Sequence, residues 1–234
     1  MQGRGLIAGF VHSRAIALVL LSFVALSAAY SFTILTFEAP DENGHVAKIN
    51  FFLTEGRLPD LDKDKVPIDS EPPLFHATYA AILRTLGYGP IRLNPTWAPS
   101  LNRTNLFIHS QDEHDLALPD VQAFHMLRLF SVFLGGITIL ITYKTGLLLF
   151  KRNNTLAVLA AAVNGFIPQF TFISSVINYD VMTSLFSSAT IYAFVRIIDT
   201  QGFQIRTQIH EAEWCVRLHD SLFFLILTEK VTVG

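Results

Sequence analysis

The stretch FEAPDENGH, residues 37–45, stands where a long apolar run gives way to acidic side chains. Residues 15–37 carry no charged side chain, and their serines and threonines are polar groups that helices in lipid tolerate. A run of about 20 apolar residues is what a helix needs to cross the hydrocarbon core of a bilayer. We therefore predict a membrane span that ends at this stretch and leaves Asp41 and Glu42 at the membrane surface.

The composition of the whole chain points to the same class of protein. The 234 residues are 51% hydrophobic and 15% charged, with a mean hydropathy of +0.42, which is too apolar for an ordinary soluble domain. The formal net charge of -2 provides no basic field to attract nucleic acid. Cys215 is the single cysteine, so neither an intrachain disulfide nor a cysteine-based metal site is possible. We expect an integral membrane protein whose partners include the lipid bilayer and no nucleic acid.

The charges on either side of the first span predict its orientation. Arg4 and Arg14 precede it and acids follow it, so the positive-inside rule places residues 1–14 in the cytoplasm and Asp41 outside. A cleaved signal peptide is the alternative, since Ser27-Ala28-Ala29 offers small residues at a plausible cleavage point. Either topology leaves Asp41 outside.

Two amphipathic segments follow in a large outer loop, residues 38–125. Residues 45–55, HVAKINFFLTE, place apolar side chains at helical spacing, and Gly56 is a suitable stop. Pro72-Pro73 then opens residues 74–86, LFHATYAAILRTL, which share an apolar face and are too short to cross a bilayer comfortably. Both segments are predicted to be helices that lie on the membrane.

Three further spans are predicted, over residues 126–150, 156–177 and 181–198. Lys151 and Arg152 fall in the turn after the first of these, which the alternation of spans places in the cytoplasm. The predicted fold class is an all-α, polytopic transmembrane helical protein with about four spans and a large extracytoplasmic first loop. Its parts are a cytoplasmic amino end at 1–14, a transmembrane region at 15–198 and a divergent or truncated tail at 199–234.

The segment 90–119 is predicted to be a loop, because prolines, asparagines and a polar run interrupt it. His109 and His114 lie near Asp112 and Glu113, but their spacing matches no familiar set of metal ligands. A solvated loop is the simpler interpretation.

Acidic side chains recur on the predicted outer side of the membrane. In an outer crevice they could converge although they are far apart in sequence. A partly desolvated carboxylate there can act as general base toward an acceptor hydroxyl, and a second acid could orient the acceptor or hold a divalent metal ion. Ordinary solvated loop charges are the alternative. The acids are Asp41 and Glu42 after the first span, Glu71 before the proline pair, and Asp180 between the last two spans.

A succession of short motifs follows the same order as the predicted spans. The chain resembles the GT-C membrane glycosyltransferases, and within them the branch that includes the protein O-mannosyltransferases and the lipid A aminoarabinose transferases. The resemblance covers roughly residues 15–198. The motifs are Pro40-Asp41-Glu42 with His45, Glu71-Pro72-Pro73-Leu74-Phe75, Arg128-Leu129-Phe130-Ser131, Ile167-Pro168-Gln169-Phe170 and Asn178-Tyr179-Asp180.

This resemblance implies transfer of a sugar from a polyprenyl-phosphate carrier to an acceptor glycan, lipid or protein on the extracytoplasmic side. In such families an acid of the first external loop is the catalytic residue, which implies Asp41 here with Glu42 as its neighbour. The residue before the proline pair is often basic or polar. This chain has Glu71 there, which favours a metal or acceptor role over phosphate binding.

The remaining candidates for substrate binding are Arg128, Asp180 and His45. Arg128 is predicted at the outer end of a span, where its guanidinium could hold the carrier phosphate or serve as an ordinary interfacial anchor. No cofactor is required by the sequence, apart from a possible divalent metal ion.

Two alternatives to an active enzyme remain open. The resembled families have more spans than four, so the chain could be the amino-terminal part of a longer enzyme, and inactive as a fragment. A non-enzymatic membrane scaffold or assembly subunit would keep the fold without the chemistry. The chain is predicted to be a multi-pass integral membrane protein. Its membrane would be the plasma membrane in a bacterium, or the endoplasmic reticulum in a eukaryote.

Overall fold

The computed structural model describes residues 2–60, 63–64, 71–93, 96–97 and 107–201 of the chain. Helices make up most of these residues. In chain order they are α1 (Gln2–Thr33), α2 (Glu42–Glu55), α3 (Pro73–Thr85), α4 (Pro119–Leu149), α5 (Asn154–Gly165), α6 (Pro168–Ile173) and α7 (Asp180–Gln201). Between α3 and α4 lie an antiparallel pair of two-residue strands, β1 (Thr96–Trp97) and β2 (Phe107–Ile108), and a 3-10 helix at Gln111–His114.

Three helices of the described chain are long and apolar enough to cross a membrane. They are Arg14–Thr33 of α1, the whole of α4, and Asp180–Asp199 of α7. Large apolar side chains stand on their outer faces: Leu21 is 70% exposed and Phe194 is 57% exposed, which suits a surface covered by lipid tails rather than water. The prediction of an all-α, polytopic membrane protein is confirmed.

The segment 156–177, predicted as one span, is divided into two helices. Proline lacks an N–H and disfavours a helical conformation in the residue before it, so α5 ends at Gly165 and α6 begins at Pro168. The Thr171 hydroxyl donates to the Gly165 carbonyl at 3.1 Å, which satisfies an acceptor freed at the break. With 12 residues, α5 rises about 18 Å, less than the ~30 Å hydrocarbon core.

The two helices nevertheless return the chain to the end of the bundle at which α4 begins. The Glu42 carboxylate accepts hydrogen bonds from Arg128, in the amino-terminal third of α4, and from the N–H of Ile177, just before α7. The starts of α4 and α7 and the end of α1 therefore lie together. Because α4 runs away from this end, α5 and α6 together carry the chain back.

Both helices predicted in the outer loop are present. α2 begins at Glu42 instead of residue 45, and α3 begins at Pro73 instead of residue 74. Gly56 ends α2, since its left-handed φ of 65° lets its N–H donate to the Phe52 carbonyl at 3.1 Å. Pro73 stands in the first turn of α3, and Gly87 follows its last turn with a φ of 78°. The core shared by α2, α3 and α4 includes Ile49, Tyr79, Leu83 and Phe124.

The carboxyl end of the predicted first span leaves the helix. α1 ends at Thr33, and Phe37 adopts a left-handed φ of 65°. Its side chain is only 4% exposed, and its ring centroid lies 5.3 Å from that of Phe124. Burial of this ring anchors the chain where it turns from α1 toward α2.

Small residues allow the apolar helices to approach closely. A Cβ atom added to Gly135 of α4 would lie 2.6 Å from Ser174 Oγ and 2.8 Å from the Phe23 ring of α1. That ring stacks on Phe170 of α6 with a centroid distance of 5.7 Å. Van der Waals contact between closely approaching helices is a main source of their association in lipid.

The predicted loop 90–119 contains more order than expected, namely the pair of short strands and the 3-10 helix. The predicted tail, 199–234, lies outside the described residues beyond Gln201. The side chain of His114 is likewise outside the described part of the structure.

Candidate active site

Asp41 is an exposed acid held in an unusual backbone conformation. It precedes α2 with φ 61° and ψ 2°, the left-handed region that aspartate tolerates better than most residues. Its carbonyl accepts from the His45 N–H at 3.0 Å, while its carboxylate makes no capping hydrogen bond to α2. The turn is therefore held by backbone contacts, and the side chain is left at the surface.

Glu42 and Arg128 form an ion pair in which both side chains are completely buried. The guanidinium donates from Nε to Oε1 at 2.9 Å and from Nη2 to Oε2 at 2.7 Å. Its other N–H groups donate to three carbonyls, those of Ser31, Ile34 and Leu35 at the end of α1. All five guanidinium donors are thus used within the protein.

This arrangement differs from the positions that the sequence suggests for the two residues. Arg128 does not face the outer surface, and it has no donor left for a phosphate. Glu42 has no exposed carboxylate oxygen and also accepts from the Ile177 N–H at 2.9 Å. The pair joins α1, α2, α4 and the segment before α7, and so fixes the turn that carries Asp41.

A cluster of two histidines and one glutamate lies beside this turn. His45 Nδ1 is 3.1 Å from His76 Nε2 and 3.2 Å from Glu71 Oε2, and the third side of the triangle, from His76 Nε2 to Glu71 Oε2, is 3.6 Å. The side chains of His45 and His76 are 1% and 0% exposed, and that of Glu71 is 18% exposed. α2 and α3 position the histidines because they pack against each other.

Lys48 holds the backbone on which Glu71 stands. Its side chain is 1% exposed, and Nζ donates to the Glu71 carbonyl at 2.8 Å. This contact ties α2 to the chain immediately before the proline pair. Glu71 is therefore fixed relative to His45, although the two residues are far apart in sequence.

Three charged side chains act on the carboxyl group of Glu71. Burial raises the pKa of Glu71 to about 7; the nearby Lys48 ammonium opposes this rise, and the Asp41 and Asp180 carboxylates add to it. Three of the sequence-predicted acids are thus close enough to interact. Near neutral pH, Glu71 can both accept and release a proton.

The histidines of the cluster are neutral at pH 7. Burial lowers the pKa of His45 to about 4, an effect that Asp41 partly offsets. Burial, together with His45 and Lys48, lowers the pKa of His76 to about 2. Each ring therefore presents one nitrogen lone pair, which a proton or a metal ion can use.

Tyr179 and Asp180 close the site from the start of α7. The Tyr179 ring meets the His45 ring edge-on at a centroid distance of 5.7 Å. Burial raises the pKa of Tyr179, and the carboxylates of Asp180, Glu71 and Asp41 raise it further. Asp180 begins α7, where its N–H donates to the Asn178 side chain at 2.8 Å.

The site thus brings together Asp41, His45, Glu71 and Asp180, whereas Glu42 and Arg128 lie buried in the adjacent ion pair. Sequence reasoning missed His76, Lys48 and Tyr179 as members of the site. His76 had one available signal, because a helix that starts at Pro73 and carries a histidine on its buried face is unusual for an apolar segment. Lys48 gave a similar signal on the apolar face of α2.

A second acid–histidine cluster lies at a different place in the outer segment. His109 Nε2 is 2.8 Å from Glu38 Oε1, and His109 Nδ1 is 2.7 Å from Glu113 Oε2. Burial lowers the pKa of His109, but hydrogen bonds to Glu113 and Glu38 outweigh this effect and raise it overall. The His109 ring joins the strand region to the chain after α1, and this loop is more than a set of solvated charges.

The fold and the site together define a polytopic helical membrane protein with acidic side chains beside the ends of its apolar helices. Residues 68–215 match the family of dolichyl-phosphate-mannose-protein mannosyltransferases, and the chain belongs to this family. Comparison with curated proteins and with solved structures finds no match. The resemblance predicted from the sequence is confirmed. The matched region includes Glu71, Arg128 and Asp180 and begins after Asp41.

Proposed function

We propose that the protein transfers a sugar from a polyprenyl-phosphate carrier to an acceptor hydroxyl on the extracytoplasmic side of the membrane. The observation that carries this proposal is the convergence of Asp41, Glu71 and Asp180 at the end of the bundle where α1 ends and α7 begins. The family name supplies a donor class, dolichyl-phosphate mannose, and an acceptor class, protein. Mannose on a polyprenyl phosphate is accordingly the first donor to test.

Asp41 is the proposed general base. Its carboxylate is exposed, so an acceptor hydroxyl can approach to within about 2.6–3.2 Å, the distance that proton transfer requires. Asp41 takes the proton as the acceptor oxygen forms a bond to the anomeric carbon. The bond from that carbon to the phosphate oxygen breaks at the same time, and the phosphate leaves with the electron pair.

Glu71 and Asp180 are proposed to orient the substrates. The charges of Asp41 and Asp180 act on Glu71, and the charges of all three acids act on Tyr179. The carboxyl group of Glu71 can hydrogen-bond a hydroxyl of the acceptor, which fixes the direction from which that hydroxyl approaches Asp41. The buried pair of Glu42 and Arg128 acts through Asp41, because it fixes the turn on which the base stands.

The proposed side of the membrane follows from the charges that flank α1. Arg14 precedes its apolar part, and acids follow its end, which favours an outer position for Asp41. The donor lipid would lie against the exposed apolar faces of α1 or α7, with its phosphate at the level of Asp41.

Donor specificity tests this proposal directly. Sealed vesicles containing the whole chain are supplied with labelled mannose on a polyprenyl phosphate, or with the same sugar on a nucleotide, and with a serine- and threonine-containing peptide on one side. Transfer to the peptide from the lipid-linked donor alone, and only from the side that Asp41 faces, supports the proposal. Transfer from the nucleotide donor, or none above vesicles that lack the protein, would favour a different enzyme or the non-enzymatic scaffold.

A further inference from the structure

The triangle formed by His45, Glu71 and His76 has dimensions that suit a metal ion. Its sides are 3.1, 3.2 and 3.6 Å between the facing nitrogen and oxygen atoms. Zn²⁺ binds imidazole nitrogen and carboxylate oxygen at about 2.0–2.2 Å in tetrahedral geometry, so neighbouring ligand atoms lie about 3.3–3.5 Å apart. The sides of the triangle lie within about 0.2 Å of this spacing, so small shifts of the side chains would place the three atoms at three corners of such a site.

Hydrogen bonding within the protein satisfies this cluster only in part, because the facing nitrogens of His45 and His76 share one hydrogen bond at 3.1 Å. Among the described residues, Glu71 Oε2 is buried without a hydrogen-bond partner, although it faces both histidines. A buried carboxylate oxygen without a partner is costly. An ion at the centre of the triangle would contact this oxygen and both facing nitrogens at once.

The charges around the cluster favour a cation, and its ligand types favour zinc. Asp41, Asp180 and Glu71 contribute negative charge and Lys48 contributes one positive charge, which leaves a net attraction for a divalent ion. Mg²⁺ and Ca²⁺ prefer oxygen ligands throughout, whereas two imidazoles and one carboxylate form a ligand set that Zn²⁺ accepts.

We propose that His45, Glu71 and His76 form a zinc site with one open coordination position. Glu71 is the ligand with the most exposed side chain, so the open position lies on its side of the cluster. Water or a substrate oxygen, such as that of a phosphate, is the class of ligand that this position takes. The proposal goes beyond glycosyl transfer, because it rests on the ligand geometry alone and is tested without a sugar donor.

Metal binding by the purified whole chain in detergent is the test. The protein is stripped with a chelator and titrated with Zn²⁺ against a competing fluorescent chelator, and separately with Mg²⁺. We expect one Zn²⁺ per chain and no competition by Mg²⁺. Glu71→Gln and His76→Gln should each weaken Zn²⁺ binding by at least about tenfold.

His109→Gln provides a matched control. The side chain of His109 also contacts two carboxylates, those of Glu113 and Glu38, but they lie at opposite ring nitrogens. One metal ion therefore cannot contact a ring nitrogen of His109 and both carboxylates. This variant should retain wild-type Zn²⁺ affinity. Circular dichroism establishes that each variant keeps its helices, and Glu71→Gln, whose side chain is partly exposed, remains informative if the buried His76 variant does not fold.

The remaining outcomes would overturn the proposal. They are absence of Zn²⁺ binding by the folded wild type, binding that Glu71→Gln leaves unchanged, and binding that His109→Gln weakens as much as the triangle variants do. Retained sugar transfer by a protein that binds no zinc would reject the metal site while leaving the proposed function intact.

Discussion

Arg128 and Glu42 are joined by two parallel hydrogen bonds of 2.9 and 2.7 Å in a fully buried ion pair. The Arg128 guanidinium carbon also lies 4.5 Å from the centre of the Phe124 ring. A buried charge that loses its partner is strongly destabilising, because neither water nor protein then compensates it. The pair thus connects the apolar helices to the turn that carries Asp41, the proposed general base.

Removal of one partner should destabilise the protein severely. We expect Glu42→Gln or Arg128→Met to lower the free energy of unfolding by about 3–5 kcal/mol, since each leaves an uncompensated buried charge. Denaturant unfolding in detergent measures this loss. The double variant should lose less than the sum of the two single variants. Additive losses would show that the two side chains do not depend on each other.

Close approach of the apolar helices at Gly135 should make that position intolerant of a methyl group. Gly135→Ala forces Ser174 and Phe23 to move, and overpacking of this kind costs about 1–3 kcal/mol.

The neighbouring Gly136 is a matched control, because a Cβ there would meet no atom within 4 Å. Gly136→Ala should be neutral or stabilising by up to about 1 kcal/mol. Thermal unfolding of both variants in the same detergent compares them. Equal stability of the two variants would contradict the packing described for α1, α4 and the end of α6.

The outer segment should lose stability as the pH rises through the folded pKa of His109, which lies above 6.5. The folded pKa of His109 is raised above its ordinary value of 6.5, so the protonated ring stabilises the fold fully below pH 6.5 and loses that effect as the pH passes its folded pKa. His109→Gln should remove this pH dependence. Unfolding temperatures of both proteins measured across this range test the effect, and parallel curves would count against it.

How far the sequence predicts this structure depends on the range of the interactions involved. The apolar stretches of α1, α4 and α7 are local patterns, and they predict the helices well. Pro168 interrupts the segment 156–177 and indicates a kink, but the apolar pattern continues on both sides of it, so the sequence predicts one span where the structure has α5 and α6.

Long-range partners explain what sequence reasoning could not provide. The position of Arg128 at the predicted end of a span suggests a phosphate contact. Its partner in the structure, Glu42, stands 86 positions away, so the sequence gives no sign that the two side chains pair. His109 similarly finds Glu38 across 71 positions. His76 sits in an apolar helix without any pattern of ligands around it, and only the packing of α3 on α2 brings it to His45. Such pairings are decided by tertiary structure.

The role of Asp41 is the central claim, and sugar transfer by Asp41→Asn measures it most directly. The variant keeps the size of the side chain and removes its basicity; Glu55→Gln, an exposed acid at the other end of α2, is the matched control. With equal membrane insertion of all three proteins, we expect Asp41→Asn to lower the rate of transfer of labelled mannose by about 10²–10⁴-fold and Glu55→Gln to leave it unchanged. Transfer by Asp41→Asn at the wild-type rate would contradict the account.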